Sequence, residues 1–377
     1  MKCGKCTSVQ LLAGGFAGII LLGGILLHLP AASRGGVPLP FLNAIFTSAS
    51  ATCVTGLVVC DTWTQFSLFG QIVILLLIQV GGLGFITSAV AIPLIMHRRI
   101  GLWQRSVLAE SVGISQLAGV VRLARRILLG TALFEGGGAA LLAIRFVPEF
   151  GWGRGVWFAV FHSVSAFCNA GFDLMGARKP GSSLTAYCGD PLVVLTISAL
   201  IVIGGIGFIV WNDLWECCGA HRRPSLHTRV TLAATGALLA AGTAAFLILE
   251  RGGVLAGMGA GERFLAALFQ SVTTRTAGFN TVEISALSDA GKAVSIFLMF
   301  VGAAPGGTGG GIKVTTLVVM LSAVVSSLRR EDDVELGRAR LEAKTISRAF
   351  CNVFAYVGMM FCAVIQTRRK CEISWEN

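Results

Sequence analysis

Three stretches of this 377-residue chain repeat one another: IFTSASATCVTGL at 45–57, VFHSVSAFCNAGF at 160–172 and LFQSVTTRTAGF at 268–279, the last one residue shorter. Each opens on an apolar residue and Phe, passes through Ser or Thr, and closes on Gly followed by Leu or Phe. The glycines Gly56, Gly171 and Gly278 stand 115 and 107 residues apart. Self-similarity at a long period means one supersecondary unit used several times, and it restricts the fold more than any other feature here. The flanks repeat too. Beyond each glycine motif lies an apolar segment carrying IQVGGLGF (78–85), IVIGGIGF (201–208) or, in the matching place, MFVGAAPG (299–306).

Composition fixes the solvent. Hydrophobic residues make up 54% of the chain, charged residues only 13%, and mean hydropathy is +0.78, which together describe an integral membrane protein. Apolar runs near 8–29, 70–96, 127–147, 191–215, 230–249 and 346–366 are long enough to cross about 30 Å of hydrocarbon as helices. A seventh, 292–328, is too long for one span and is interrupted by APGGTGGGIK.

Basic residues gather at HRRIGLWQR (97–105), Arg122, Arg125 and Arg126, HRRPSLHTR (221–229), Arg329, Arg330, Arg338, Arg340 and Lys344. By the positive-inside rule these loops face the cytoplasm of a cell-membrane protein, and Lys2 and Lys5 place the N-terminus there as well. The net charge of +11 therefore reports topology and not a nucleic-acid partner. The first span lacks a small-residue cleavage site and is read as a mature helix. Among eleven cysteines, the pair in CGKC (3–6) has no second pair at zinc spacing. The five histidines form no HExxH and no nucleophile motif appears, so the chain is not read as an enzyme.

Each glycine motif follows an apolar stretch of about ten residues, too short to span, which must therefore enter the membrane and return. Backbone left unpaired at that depth is tolerated only where it is buried in protein or lines water. A glycine-containing strand after a re-entrant helix can turn successive carbonyls toward one axis, where they replace the hydration shell of an alkali cation. The helix dipole adds partial negative charge where the pore helix ends. Small-residue packing seams are the competing reading of one such motif. Three copies, each after a too-short helix, favour the pore.

TSASATCVTGLVV, SVSAFCNAGFDL, SVTTRTAGFNT and GAAPGGTGGGIKVTT together resemble the membrane subunit of the Trk/Ktr/HKT superfamily of potassium transporters, closest to the Ktr-type ion-translocating subunit. The resemblance covers about residues 10–365. It implies an all-α polytopic membrane protein of channel-like repeats (outer helix, pore helix, filter, inner helix) around a pseudo-fourfold pore. It also implies homodimers in lipid, a cytosolic nucleotide-binding regulatory ring, K+ as the transported ion and Na+ as a coupling ion, with no covalently bound cofactor. Carried over by position, the filter is Thr52, Cys53, Val54, Thr55 and Gly56, then Cys168, Asn169, Ala170 and Gly171, then Arg275, Thr276, Ala277 and Gly278. Cys53 itself is read as a small packing residue. Asp61, Asp173 and Glu283 follow the filters and are expected at the outer mouth, where negative charge concentrates cations; solvated loop carboxylates are the other reading.

GAAPGGTGGGIK (302–313) lacks the Gly-Lys-Ser/Thr order and strand context of a phosphate loop. Proline and glycines favour an unwound segment, so a broken inner helix is expected. Lys313 lies about 24 Å along a helix before Arg329, deep for a charge. Ala303, Ala304, Pro305, Gly306, Gly307, Thr308, Gly309, Gly310 and Gly311, through residue 312, are expected to form a gate that Lys313 helps hold closed.

The repeats are assigned as 1–100, 101–220, 221–335 and a partial fourth at 336–377. The period places a fourth filter glycine near 385–393, beyond residue 377. The expectation is a fourth outer helix with an atypical basic tail, TRRKCEISWEN, and a ring left open on one side. The leading function is potassium translocation; the alternative is a truncated, non-conducting or regulatory fragment of such a transporter.

Overall fold

The computed structural model describes residues 8–84, 119–220, 222–330, 333–336 and 339–375. The basic loop at 97–105, Lys2, Lys5, the CGKC pair, Arg338 and the expected span beyond residue 84 lie outside the described residues. Contacts gather into two compact units, Met1–Gly311 and Ile312–Asn377.

Within the first unit one pattern recurs. An outer helix (α1, Ser8–His28) leads to a short pore helix (α2, Phe41–Thr52), a strand, the single turn α3 (Thr62–Gln65) and an inner helix (α4, Leu68–Leu83). The second copy is α5 (Val120–Phe150), α6 (Trp152–Phe167), strand, α7 (Pro191–Gly205) and α8 (Phe208–Ala220). The third is α9 (Leu226–Leu249), α10 (Ala260–Thr273), strand and α11 (Asp289–Phe300). The pore helices have 12, 16 and 14 residues, or about 18–24 Å of rise, less than a bilayer core. α5 and α9 are long and apolar enough to cross a membrane alone.

Inner helices start on side-chain caps that satisfy first-turn N–H groups. Ser67 accepts from Gly70, Asp190 from Leu192 and Val193 with Pro191 in the first turn, and Ser288 from Gly291. The sequence reads 191–215 as one span, but the chain bends by 93° between α7 and α8. Gly207 stands there at φ +94°, a left-handed conformation in which a Cβ would fall 2.5 Å from the Pro305 carbonyl oxygen. The second inner helix is thus broken as well, because the third repeat's loop occupies the space a straight helix would need.

One joint is built three times. Ser48, Ser163 and Ser271 on the pore helices donate to the Ile20, Glu135 and Leu239 carbonyls of the outer helices at 2.8, 2.6 and 3.0 Å. Three residues past each acceptor stands Gly23, Gly138 or Gly242, where a Cβ would lie 2.4–2.6 Å from that serine oxygen. Leu77, Leu200 and Leu298 of the inner helices close the same space, each within 3 Å of that Cβ position. Close approach through small residues, sealed by an interhelical hydrogen bond, is how helices associate without a hydrophobic drive.

The second unit holds α12 (Val314–Arg329), α13 (Ala343–Trp375) and a two-stranded hairpin of β1 (Glu335–Leu336) and β2 (Ala339–Arg340), a small departure from an all-helical chain. Arg340 pairs with Asp333 at 2.5 Å beside the hairpin.

Candidate functional site: three strands on one axis

Each pore helix ends in a turn that launches its strand. The Thr55, Ala170 and Ala277 amides donate back to the Ser50, Ser165 and Thr273 carbonyls at 2.9, 2.8 and 3.0 Å. The third repeat makes this bond one residue sooner, which accounts for its shorter motif. Thr52 is the last residue of α2, and its carbonyl oxygen would lie 2.0 Å from a Cβ on Gly81.

The strands share an unusual backbone. Val54, Asn169 and Thr276 have φ of +55°, +58° and +69°, and two residues on Gly56, Gly171 and Gly278 have +79°, +70° and +89°. The residue between keeps a negative φ. Alternation of this kind reverses every second peptide plane, so neighbouring carbonyls that would alternate in an ordinary strand turn to one side. A β-branched residue in the left-handed region is strained by about 1–3 kcal/mol. Val54 and Thr276 both carry that cost, and surrounding packing must hold them there.

The strands converge. A Cβ on Gly56 would sit 2.9 Å from the Ala170 oxygen, and one on Gly171 would sit 2.6 Å from the Ala277 oxygen, the same step taken from repeat to repeat. A Cβ on Gly278 would lie 3.3 Å from the Gly171 Cα and 3.8 Å from the Gly56 Cα. Only glycine fits at this axis.

The second strand is the most enclosed. Residues 167–172 are all buried. Behind them His162 donates through Nδ1 to the Phe158 carbonyl at 2.7 Å and accepts the Leu174 amide at Nε2, 3.3 Å away, a pairing that fixes the Nδ1-protonated tautomer. Ser165 donates to the Phe172 carbonyl at 2.7 Å, and in the third repeat Thr273 donates to Phe279 at 2.6 Å. Cys53, expected to pack, is exposed on the flank of the first strand.

Beyond the strands the structure brings Asp61 and Asp173 together. Asp61 caps α3 through the Thr64 amide at 2.8 Å and accepts the Gly181 amide at 3.1 Å. Asp173 accepts the Met175 amide at 2.9 Å. Burial, with the charge of Asp61 nearby, pushes the Asp173 carboxyl up to about 6. Glu283 is exposed and accepts from Ser285 at 3.0 Å, and among the described residues no hydrogen bond or ion pair joins it to the two aspartates.

On the other side lies the interruption after α11. Ala304 and Thr308 amides donate to the Gly205 and Gly204 carbonyls at 2.9 and 3.2 Å, and the Phe208 amide donates to Gly306 at 2.9 Å, so the loop is stitched into the α7–α8 break. Asn169 of the second strand donates to the Thr308 hydroxyl at 2.9 Å, which donates to the Phe167 carbonyl at 3.0 Å. Lys313 stands at the N-terminus of α12, in the second unit.

Sequence reasoning missed a polar group in mid-span. Glu135, near the middle of α5, accepts from Gln79 of α4 at 3.2 Å, and the Cys168 thiol lies 3.9 Å from its other oxygen. A lone acid inside an apolar run was the available signal.

Re-entrant helices that deliver three alternating-φ glycine strands to one axis define a membrane protein of the ion-pore class. The model of the TrkH family, described as a cation transport protein, matches residues 24–373, and this chain belongs to that family. It is 38% identical over 364 residues to the potassium/sodium uptake protein NtpJ of Enterococcus hirae, covering 96% of this chain and 79% of that one. It is 40% identical over 369 residues to the Ktr system potassium uptake protein B of Bacillus subtilis, covering 97% and 80%. Among solved structures, the potassium transporter TrkH from Vibrio parahaemolyticus shares the fold, with a TM-score of 0.72 at 18% identity over 96% of this chain and 72% of that one.

Proposed function

We propose that this chain carries potassium across the inner (plasma) membrane along the axis of its three strands, with the N-terminus in the cytoplasm. The observation that carries the reading is the convergence of Gly56, Gly171 and Gly278 on alternating-φ strands, with the Ala170 and Ala277 carbonyls set against the glycine of the preceding repeat. Carbonyls of 52–56, 168–171 and 275–278 replace the ion's water, and the ion's identity follows the potassium named in the relatives. The sodium in the name of NtpJ supports Na+ as the second ion. Asp61 and Asp173 raise cation concentration at the outer mouth, with Glu283 a more distant contributor. Residues 303–312 act as a gate against the underside of the strands, and Lys313 helps keep it shut. The chain is organised as the repeats 1–100, 101–220, 221–335 and 336–377, works as a homodimer in lipid, and docks a cytosolic regulatory ring, consistent with relatives named as parts of a Ktr system.

Expression in a potassium-uptake-deficient bacterium at low external potassium tests the transport reading: growth supports it, and absence of growth with protein present in the membrane counts against it. Deleting 303–312 tests the gate. Flux rises if the loop closes the pore, and unchanged flux in a folded deletion variant removes the gate reading.

A further inference from the structure

Cys53, Cys168 and Arg275 occupy the same step of the three strands, yet their side chains meet different surroundings. Cys168 packs against Gly82 of α4, where a Cβ would lie 2.5 Å from its sulfur, and against Glu135 of α5. At the next seam the corresponding places on α7 and α9 are held by Gly205 and by Leu239, so the position equivalent to Glu135 offers Arg275 no carboxylate. Arg275 as a whole is nevertheless only 7% exposed, beside a cavity of about 10 Å³ lined by Val202, Gly205, Thr235, Leu239 and Ala303. A charge held this deep is costly unless it is hydrogen-bonded, and a backbone carbonyl beneath the strand takes that part.

That carbonyl is Gly302, which accepts from Arg275 Nη2 at 3.1 Å. Gly302 is the neck of the loop. A Cβ there would lie 2.0 Å from the Gly310 oxygen and 2.8 Å from the Gly311 Cα, and the next amide, Ala303, donates to Gly310 at 3.1 Å. The entering and leaving arms of the loop therefore touch at this point. The residue after Arg275 holds the other arm: the Gly310 amide donates to the Thr276 hydroxyl at 3.0 Å. Two consecutive residues of one strand thus grip both arms of the loop.

We propose that Arg275 and Thr276 form a clamp that couples the third strand to the loop, so that the loop leaves the axis only when this strand releases it. The proposal rests on reading the loop as a gate. Arg275 is a positioning residue here, acting through Gly302, while its backbone carbonyl remains part of the strand.

The test is rubidium-86 uptake into proteoliposomes containing the full chain. Arg275→Gln raises the maximal rate roughly tenfold, the scale of one charge-assisted hydrogen bond, with the half-saturating ion concentration unchanged. Arg275→Lys, which restores charge and a single donor, recovers part of the closure. In a protein lacking 303–312, Arg275→Gln adds nothing, because the loop it acts on is gone. An unchanged maximal rate in Arg275→Gln, alongside a raised rate on loop deletion, overturns the clamp and leaves the gate standing. A deletion without effect overturns the gate and the clamp with it. If Arg275→Gln does not fold, Thr276→Val decides: it removes only the acceptor for Gly310, and a raised maximal rate supports the clamp while an unchanged one overturns it.

Discussion

The first and second strands share a backbone but not an enclosure. Both descend from a pore-helix end through the same amide-to-carbonyl bond, at 2.9 Å for Thr55 and 2.8 Å for Ala170, and both alternate φ in the same order. Around the second, residues 167–172 are buried, His162 braces the exit through Leu174, and Ser165 pins the Phe172 carbonyl. Around the first, Cys53 and Thr55 are exposed, Leu57 is 59% exposed, and the buried Ser50 hydroxyl has no partner among the described residues. The difference separates two jobs. The turn at the end of the pore helix sets the strand's shape locally, whereas its rigidity comes from neighbours.

The sharpest way to break this contrast is to add a methyl group at the axis. Gly171→Ala places a Cβ at φ +70° and 2.6 Å from the Ala277 oxygen, inside packing that cannot yield, and rubidium uptake is expected to vanish. Gly56→Ala meets the Ala170 oxygen at 2.9 Å but has an open flank, so measurable uptake should survive. Equal losses in the two variants would sink the distinction.

Smaller effects should follow the serines. Ser165→Ala removes the donor to Phe172 and should lower stability by about 1 kcal/mol, read as a depressed thermal midpoint in detergent. Ser50→Ala, which removes a buried hydroxyl without a partner among the described residues, should be neutral or slightly stabilising. A larger cost at Ser50 than at Ser165 would reverse the ranking of the two enclosures.

The mildest effect lies at the mouth. Asp173 titrates near 6, above the ordinary carboxyl value of 3.8, because burial and Asp61 disfavour its charge. An unfolded chain would ionise this carboxyl near 3.8 and the folded one only near 6, so the cost to stability builds up as pH rises between those values and is constant above about 6. Acidification through that window removes the cost and also removes a negative charge from the proposed outer mouth. Uptake at low ion concentration should fall as external pH drops through about 6, and Asp173→Asn should flatten that part of the profile. An identical pH profile in the variant would mean that Asp173 does not face the entering ion.

Much of this was legible in the sequence, for a physical reason. The glycines at 56, 171 and 278 stand where no side chain fits, and proline with glycines at 305–311 cannot sustain a helix, so both left compositional marks. The left-handed Val54 and Thr276 left none, because β-branched residues ordinarily avoid that region and tertiary packing imposes it, whereas Asn169 is of a type that enters it readily. The break at 206–207 was hidden for a related reason. GGIG resembles a packing seam, and what bends the helix there is a segment a hundred residues later in the chain. Glu135 and Gln79 stood out only as isolated polar residues; their pairing across two repeats needed coordinates.

The triple joint of glycine, serine and leucine bears on how such a chain is made. Gly23, Ser48 and Leu77, and likewise the second and third sets, lie within about 60 residues of one another, so each repeat can close as a local hairpin while later ones are still being synthesised. The axis cannot form that way, since the first and second strands each lie against a carbonyl of the next repeat and the third against the glycines of the other two. Biogenesis thus divides into early, independent closure of prefabricated pieces and a late cooperative step in which the ion path first exists, and a lesion at a joint would be met by quality control before any permeation defect could appear.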